Sequence, residues 1–236
     1  MNNIDWAKYA VGYDAICGAS QAYKENIQQL VERVDQWRLP PQARVLDLGA
    51  GTGAYISSLS EKLPDAQFTH LDYNASMNAL ASRKYRELAL DVEIIESPLL
   101  CAEIANYSQD LIICVNTLYT MQRPLAMLRR VRRLLKPDGK FFVVDFGREM
   151  QLNKWSVHVI VSLLKQYGFT PTMGLLWRYR EVFRQNRIGM HAQRQGSYWL
   201  HSAAEFAHAL ETNGWCIEEL ATCYLGDCDL AVCRPS

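Results

Sequence analysis

Hydrophobic positions recur along this chain in two alternating rhythms. Short apolar runs of the kind that form buried strands occupy Arg44–Leu48, Gln67–Asp72, Val92–Ile95, Gln109–Asn116 and Lys140–Asp145. Between them apolar residues return at helical spacing. Ala54–Leu63 carries Tyr55/Ile56, Leu59 and Leu63; Asn78–Leu90 is a second helix, with Asn74 and Ser76 as its caps; Pro124–Leu135 turns Leu125, Leu128, Val131 and Leu135 inward. Strand–helix alternation predicts a parallel sheet covered on both faces. Ahead of it, residues 1–39 read as helical, with Trp6, Tyr9, Tyr13, Ile16 and Cys17 and then Ile27, Leu30, Val31 and Val34 in phase. Leu39-Pro40-Pro41 ends that segment, because consecutive prolines cannot continue a helix. Lys136–Gly139 is a turn before the fifth strand. From 147 to about 200 the alternation breaks: Trp155–Tyr167 is helical and Trp177–Trp199 is rich in arginine. Ser202 with Glu205 three residues on is a capping box, and Gly214 stops the helix it opens. Trp215–Leu220 and Tyr224–Cys233 then close the sheet as an antiparallel pair. No repeat or linker divides the chain, so one domain is expected: a helical cap (1–39), a core (40–146), a lid or insertion (147–200) and a sheet-closing part (201–236).

Composition narrows this picture little. The chain has 236 residues, 49% apolar and 21% charged, with a formal net charge of zero. A neutral total gives no reason to expect nucleic acid or an anionic membrane as partner, and no apolar run reaches the roughly 18 residues that span a bilayer. The N-terminus, with Asp5, Trp6 and Lys8, lacks the layout of a secretory signal. Seven cysteines without a C-x-x-C pair point to a reduced, cytoplasmic protein with no metal site. The expected state is a monomer or a homodimer.

The chemistry concentrates in Arg44-Val-Leu-Asp-Leu-Gly-Ala-Gly-Thr-Gly-Ala-Tyr55. A buried strand leads into Gly49, Gly51 and Gly53, and a helix follows, an arrangement that lets a nucleotide-like ligand approach the backbone. Gly49-x-Gly51-x-x-Ala54 also satisfies the relaxed dinucleotide fingerprint, which leaves a nicotinamide site open. Asp47 tilts the choice, since its carboxylate would repel a pyrophosphate and attract an ammonium-bearing ligand. Asp72 ends the second strand 23 residues after Gly49, near the distance at which a carboxylate meets a ribose diol in this topology.

Val45–Gly53, together with Leu134-Leu-Lys-Pro-Asp-Gly139 before a hydrophobic strand, resembles the class I S-adenosylmethionine-dependent methyltransferases. The resemblance implies an α/β, Rossmann-like fold: a seven-stranded, mostly parallel sheet with an antiparallel final strand, a helical N-terminal segment and a lid. It implies S-adenosylmethionine as cofactor. The implied cofactor residues are Asp47, Gly49, Ala50, Gly51 and Gly53 in the first motif and Asp72, Tyr73 and Met77 around ribose and adenine. Glu96 or Ser97 would stand at the adenine edge, Asn116 and Thr117 at the end of the fourth strand, and Tyr13 of the Tyr13-Asp14 pair at the entrance. Tyr119 would face both donor and acceptor.

The acceptor is less legible. Arg178, Arg180, Arg184, Arg187 and Arg194 face a single acid, Glu181, with His191 among them, and guanidinium pairs bidentately with carboxylate or phosphate. The expectation is methyl transfer to an O or N atom of a small, anionic metabolite, with Arg178, Arg180, Arg184 and His191 binding it. His191 is the first candidate for a general base, ahead of His158 and His201. A solvated lid helix is the plainer reading of the same arginines, just as Arg129, Arg130, Arg132 and Arg133 read as the solvated face of their helix. A macromolecular acceptor (tRNA or peptide), a nicotinamide oxidoreductase and a non-catalytic S-adenosylmethionine-binding module stay open as alternatives.

Overall fold

The computed structural model describes residues 4–236. Seven strands, β1 (Arg44–Leu48), β2 (Gln67–Asp72), β3 (Val92–Glu96), β4 (Gln109–Val115), β5 (Leu135–Phe146), β6 (Trp215–Cys223) and β7 (Cys228–Pro235), form one sheet in the order β3-β2-β1-β4-β5-β7-β6. Neighbours from β3 to β5 pair in parallel, and β7 runs antiparallel to both β5 and β6. Side chains alternate across a strand, and the core divides accordingly. Val45, Leu111, Ile113, Phe142 and Val144 belong to one buried layer; Leu46, Ile112, Cys114, Phe141 and Val143 belong to the other.

The helices α2 (Gln21–Trp37), α3 (Ala54–Leu59), α4 (Ala75–Glu87), α5 (Pro124–Leu134) and α9 (Ala203–Thr212) flank the sheet. Four more, α1 (Trp6–Ile16), α6 (Leu152–Tyr167), α7 (Phe169–Arg178) and α8 (Arg180–Arg194), complete the fold. A separate apolar cluster of Tyr9, Ile16, Met77, Val159, Leu163 and Val182 joins α1 and α4 to α6 and α8.

Several boundaries differ from the sequence expectation for physical reasons. α3 ends at Leu59 rather than Leu63, and Ser57 and Ser58 donate back to the carbonyls of Gly53 (2.8 Å) and Ala54 (2.9 Å), bonds that compete with helix propagation. α4 begins at Ala75, three residues early, because Asn74 Oδ1 accepts from the Met77 N–H (3.0 Å) and caps it there. Leu125 on α5 is exposed and Met127 fills the inward position. Residues 136–139 sit inside a continuous β5 as a register skip, with Gln109 opposite Leu135 but Leu111 opposite Lys140. Tyr224–Gly226 forms a short helical turn between β6 and β7, and Leu225 sits at positive φ. The Ser202–Glu205 capping box is formed in both directions. No helix among the described residues is long and apolar enough to cross a membrane.

Candidate active site

The strand order reverses direction between β1 and β4, and in open α/β sheets ligands bind outside the carboxyl ends of strands at such a point. The glycine turn lies there. Its Gly49 and Ala50 amides donate to the Leu71 carbonyl (2.8 and 3.2 Å), which fastens the turn to the end of β2. Gly49 has φ +66°, and a Cβ on it would come within 2.3 Å of Thr117 Oγ1, so no larger residue fits. Gly51 has φ +56° and, unlike Gly49, open space where a side chain would project. Its N–H donates to Asp72 Oδ2 (2.9 Å), and the Asn74 N–H donates to Asp72 Oδ1 (2.9 Å). Each Asp72 oxygen thus keeps a lone pair for a further donor.

The open space is a cavity of about 690 Å³. Its floor is the glycine turn with Asp72, Tyr73, Asn116 and Thr117. Its walls are aromatic: Tyr9 and Tyr13 from α1, Trp155 from α6, Phe183 from α8, and Tyr119, Phe146 and Tyr198. Tyr119 packs edge-on against Phe146 (5.0 Å) and Tyr198 (5.1 Å), and Tyr13 against Tyr9 (5.3 Å) and Tyr23 (6.1 Å). Among the described residues the only charged side chains lining it are Asp72 and Arg123. Burial, reinforced by Tyr198, pushes the Tyr119 hydroxyl well above its ordinary range, so it stays protonated.

Comparison with known proteins places this geometry. Residues 45–139 match the family model described as "Methyltransferase domain". The comparisons support membership of the class I S-adenosylmethionine-dependent methyltransferase family. Among curated relatives, it is 28% identical to the carboxy-S-adenosyl-L-methionine synthase of Nautilia profundicola, covering 63% of this chain and 64% of that one. It is 27% identical to the malonyl-[acyl-carrier protein] O-methyltransferase of Methylococcus capsulatus, over 61% of this chain and 50% of the other. To phosphoethanolamine N-methyltransferase 1 of Arabidopsis thaliana it is 26% identical, over 73% and 38%. The chain therefore spans between about two-fifths and just under two-thirds of these relatives. A solved S-adenosylmethionine-dependent methyltransferase from Aquifex aeolicus superposes with a TM-score of 0.59 at 19% identity, covering 90% of this chain and 98% of that one. Magnesium protoporphyrin IX methyltransferase from Synechocystis, solved with SAH bound, gives 0.61 at 15% identity, over 91% and 84%. At these identities the structures carry the fold, and S-adenosylmethionine is the cofactor the family uses.

The residues present fit that cofactor. Asp47, buried beside the turn, has an Oδ2 without any hydrogen-bond partner. Burial, with the Asp72 charge adding to it, pushes its carboxyl up to about 8. A cation bound nearby would supply the missing partner. Asp72 offers lone pairs for hydroxyls, and Gly51 leaves room for a ligand against the backbone.

Of the sequence candidates, Tyr13, Gly49, Gly51, Asp72, Tyr73, Met77, Ser97, Asn116, Thr117 and Tyr119 line the cavity. Asp47, Ala50 and Gly53 lie behind it, and Gly53 leaves the space that the Tyr85 hydroxyl occupies, 2.3 Å from where a Cβ would stand. Of the pair at the third strand, Ser97 faces the cavity, while Glu96 Oε2 accepts from Asn78 Nδ2 (3.0 Å) and braces α4. Arg178, Arg180, Arg184 and His191 are exposed on α7 and α8 and do not line the cavity. Arg184 pairs with Glu181 (3.0 Å), and His191 Nε2 lies 3.0 Å from Gln195 Nε2. His158 is committed elsewhere, its Nε2 accepting from the Ala22 N–H at the start of α2 (3.3 Å), and His201 is buried against Phe206.

Sequence reading missed the parts supplied across long separations. Asp14 Oδ1 accepts from Thr52 Oγ1 (2.5 Å) and its Oδ2 pairs with Lys84 (3.0 Å), which latches α1 to the glycine turn and α4. Trp155 is held by its Nε1–H donating to the buried Asp227 (2.6 Å), and Gln193 by accepting the Met150 N–H (2.9 Å). Gly51→Val tests the cradle. The positive φ should cost about 1–2 kcal/mol, a shift a melting curve will show, whereas titration calorimetry should detect no S-adenosylmethionine binding, because the new side chain enters the cavity.

Proposed function

We propose that this protein transfers a methyl group from S-adenosylmethionine to a small acceptor held within the aromatic cavity. One observation carries the reading: a cavity of about 690 Å³, ample for a ligand pocket, runs from the glycine turn to a roof of α1, α6 and α8. Asp72 would receive the ribose hydroxyls, Tyr73 and Met77 border the adenine, and Ser97 stand at its edge. Gly49 and Gly51 would pass along the amino-acid part, with Asp47 beneath them. The bound cofactor supplies an electrophilic methyl group on a sulfonium, so the protein's own work is alignment and exclusion of water. Tyr9, Tyr13, Trp155 and Phe183 exclude water around the acceptor. Tyr119, protonated by virtue of its burial, donates a hydrogen bond and does not abstract a proton. The lining is too poor in cations for a polyanionic acceptor, since Arg123 is its one basic residue among those described. The names of the relatives span an O-methyltransferase, an N-methyltransferase and a synthase, so they select no acceptor atom.

The test is incubation with methyl-labelled S-adenosylmethionine and size-fractionated extract of the source cells. Label is expected in the small-molecule fraction; label confined to protein or RNA would overturn the reading. With the product known, Tyr119→Phe should lower kcat about tenfold, the worth of one hydrogen bond at the upper end of its range, and leave cofactor affinity unchanged.

A further inference from the structure

The surface beside the cavity roof is itself unusual. On α7, Phe169, Met173 and Trp177 recur every four residues and so share one face. All three are exposed, Phe169 at 70% and Trp177 at 73%, and Thr172 is the only fully buried residue of that helix. Val157 and Val161 on α6 and Val11 on α1, 74% exposed, are further apolar side chains left open to solvent on neighbouring helices. The other side of α7 meets α1, where Ala15, Tyr167, Pro171, Gly174, Leu175 and Arg178 surround a shallow depression. Large apolar side chains grouped on one exposed helix face mark an interaction site.

Charge says what covers it. From Leu152 to Arg194 the chain holds seven Lys and Arg against one acid, Glu181, although the whole chain is neutral. Among the described residues, Lys165, Arg178, Arg180 and Arg187 have no carboxylate partner, and Arg180 lies over the Trp177 ring (4.8 Å). A second copy seated on this face through a two-fold axis would set these cations against themselves. Exposed Trp and Phe flanked by unpaired arginines instead match an anionic lipid surface, where aromatic rings enter the headgroup boundary and guanidinium groups meet phosphates. α6 carries both surfaces, with Trp155 and Val159 toward the cavity and Val157 and Val161 outward.

We propose that the exposed apolar face of α7, with the unpaired arginines beside it, seats the protein on an anionic membrane surface without crossing it. The neutral total charge conceals this patch because the compensating acids lie elsewhere in the chain. The proposal stands apart from methyl transfer, and its test reads no activity. Full-length protein is sedimented with mixed phosphatidylglycerol–phosphatidylcholine vesicles and with phosphatidylcholine alone. Binding is expected to the mixed vesicles only and to weaken with salt. Arg178→Gln, Arg180→Gln and Arg187→Gln should each lower the partition coefficient about fivefold. Trp177→Glu and Phe169→Glu should each lower it tenfold or more while S-adenosylmethionine affinity, measured by titration calorimetry, stays at the wild-type value and so reports intact folding. Brominated lipid should quench wild-type fluorescence more than that of Trp177→Phe. Failure of the wild type to sediment, or undiminished binding by Trp177→Glu, would overturn the proposal. So would a wild-type dimer that Trp177→Glu converts to monomer in light scattering, since a second copy would then own the face.

Discussion

Replacing Asp72 by Ala is expected to weaken S-adenosylmethionine binding about 100-fold or more, with the fold retained. The size follows from two hydrogen bonds to a charged acceptor at about 1.5–3 kcal/mol each, set against tenfold in affinity for every 1.4 kcal/mol. Asp72 does two jobs at once. It accepts from the Gly51 and Asn74 amides, holding the glycine turn and the start of α4 in place, and it keeps lone pairs toward the cavity for the proposed ribose. Asp72→Ala removes both. Asp72→Asn separates them, because its one carbonyl oxygen can still hold an amide or take a hydroxyl. It should bind between the wild type and Ala. Titration calorimetry gives the affinities, and thermal melts without cofactor report the turn alone. An Ala variant that binds as tightly as the wild type would remove Asp72 from the ribose site.

That prediction rests on a part of the molecule that was readable in the sequence because its determinants are local. Arg44–Leu48, the three glycines and the helix after them are consecutive, and the apolar run, the glycine spacing and the helical period each report on a few neighbouring residues. The Ser202–Glu205 box is legible for the same reason, both partners lying within one helical turn. The seven-stranded sheet followed from strand–helix alternation together with the family resemblance. What was illegible is which side of a lid helix faces in. Arg178, Arg180 and Arg184 cluster in sequence with aromatics, but only packing decides that Val182 and Phe183 turn toward α1 and the cavity while the arginines turn out. The roof contacts join residues far apart, as Asp14 to Thr52, Trp155 to Asp227 and Tyr9 to Asn186 (2.7 Å) do. No periodicity in one segment encodes such partners. At Asn74 the cap itself is legible in the sequence, whereas the helical period reads only from Asn78, three residues after the true start.

Asp47→Asn is expected to weaken the pH response of stability and to flatten that of cofactor binding. In the free protein burial raises the Asp47 carboxyl to about 8, and the nearby Asp72 charge adds to the rise. Unfolded, the same group titrates near 4. Between those values the folded state binds the extra proton, so stability is full below about pH 4 and falls as pH rises toward 8. The slope is at most about 1.4 kcal/mol per pH unit from this one group. Asp145, buried without a hydrogen-bond partner and also pushed well above the carboxylate range, adds a slope of the same sign. It is unchanged in the variant, so the difference between the two melting curves isolates Asp47. The Asn variant should therefore gain on the wild type as pH rises from 5 to 8. Binding works in the opposite direction. A cationic ligand favours the ionised Asp47, which must then give up its proton, so affinity should climb by up to tenfold per unit below pH 8. Calorimetry at pH 7 in two buffers of different ionisation enthalpy should count close to one proton released by the wild type and close to none by Asp47→Asn. Equal proton release from both would mean that the orphaned Asp47 oxygen does not answer to the cofactor, and the carboxylate would then be a buried group whose cost serves only the turn.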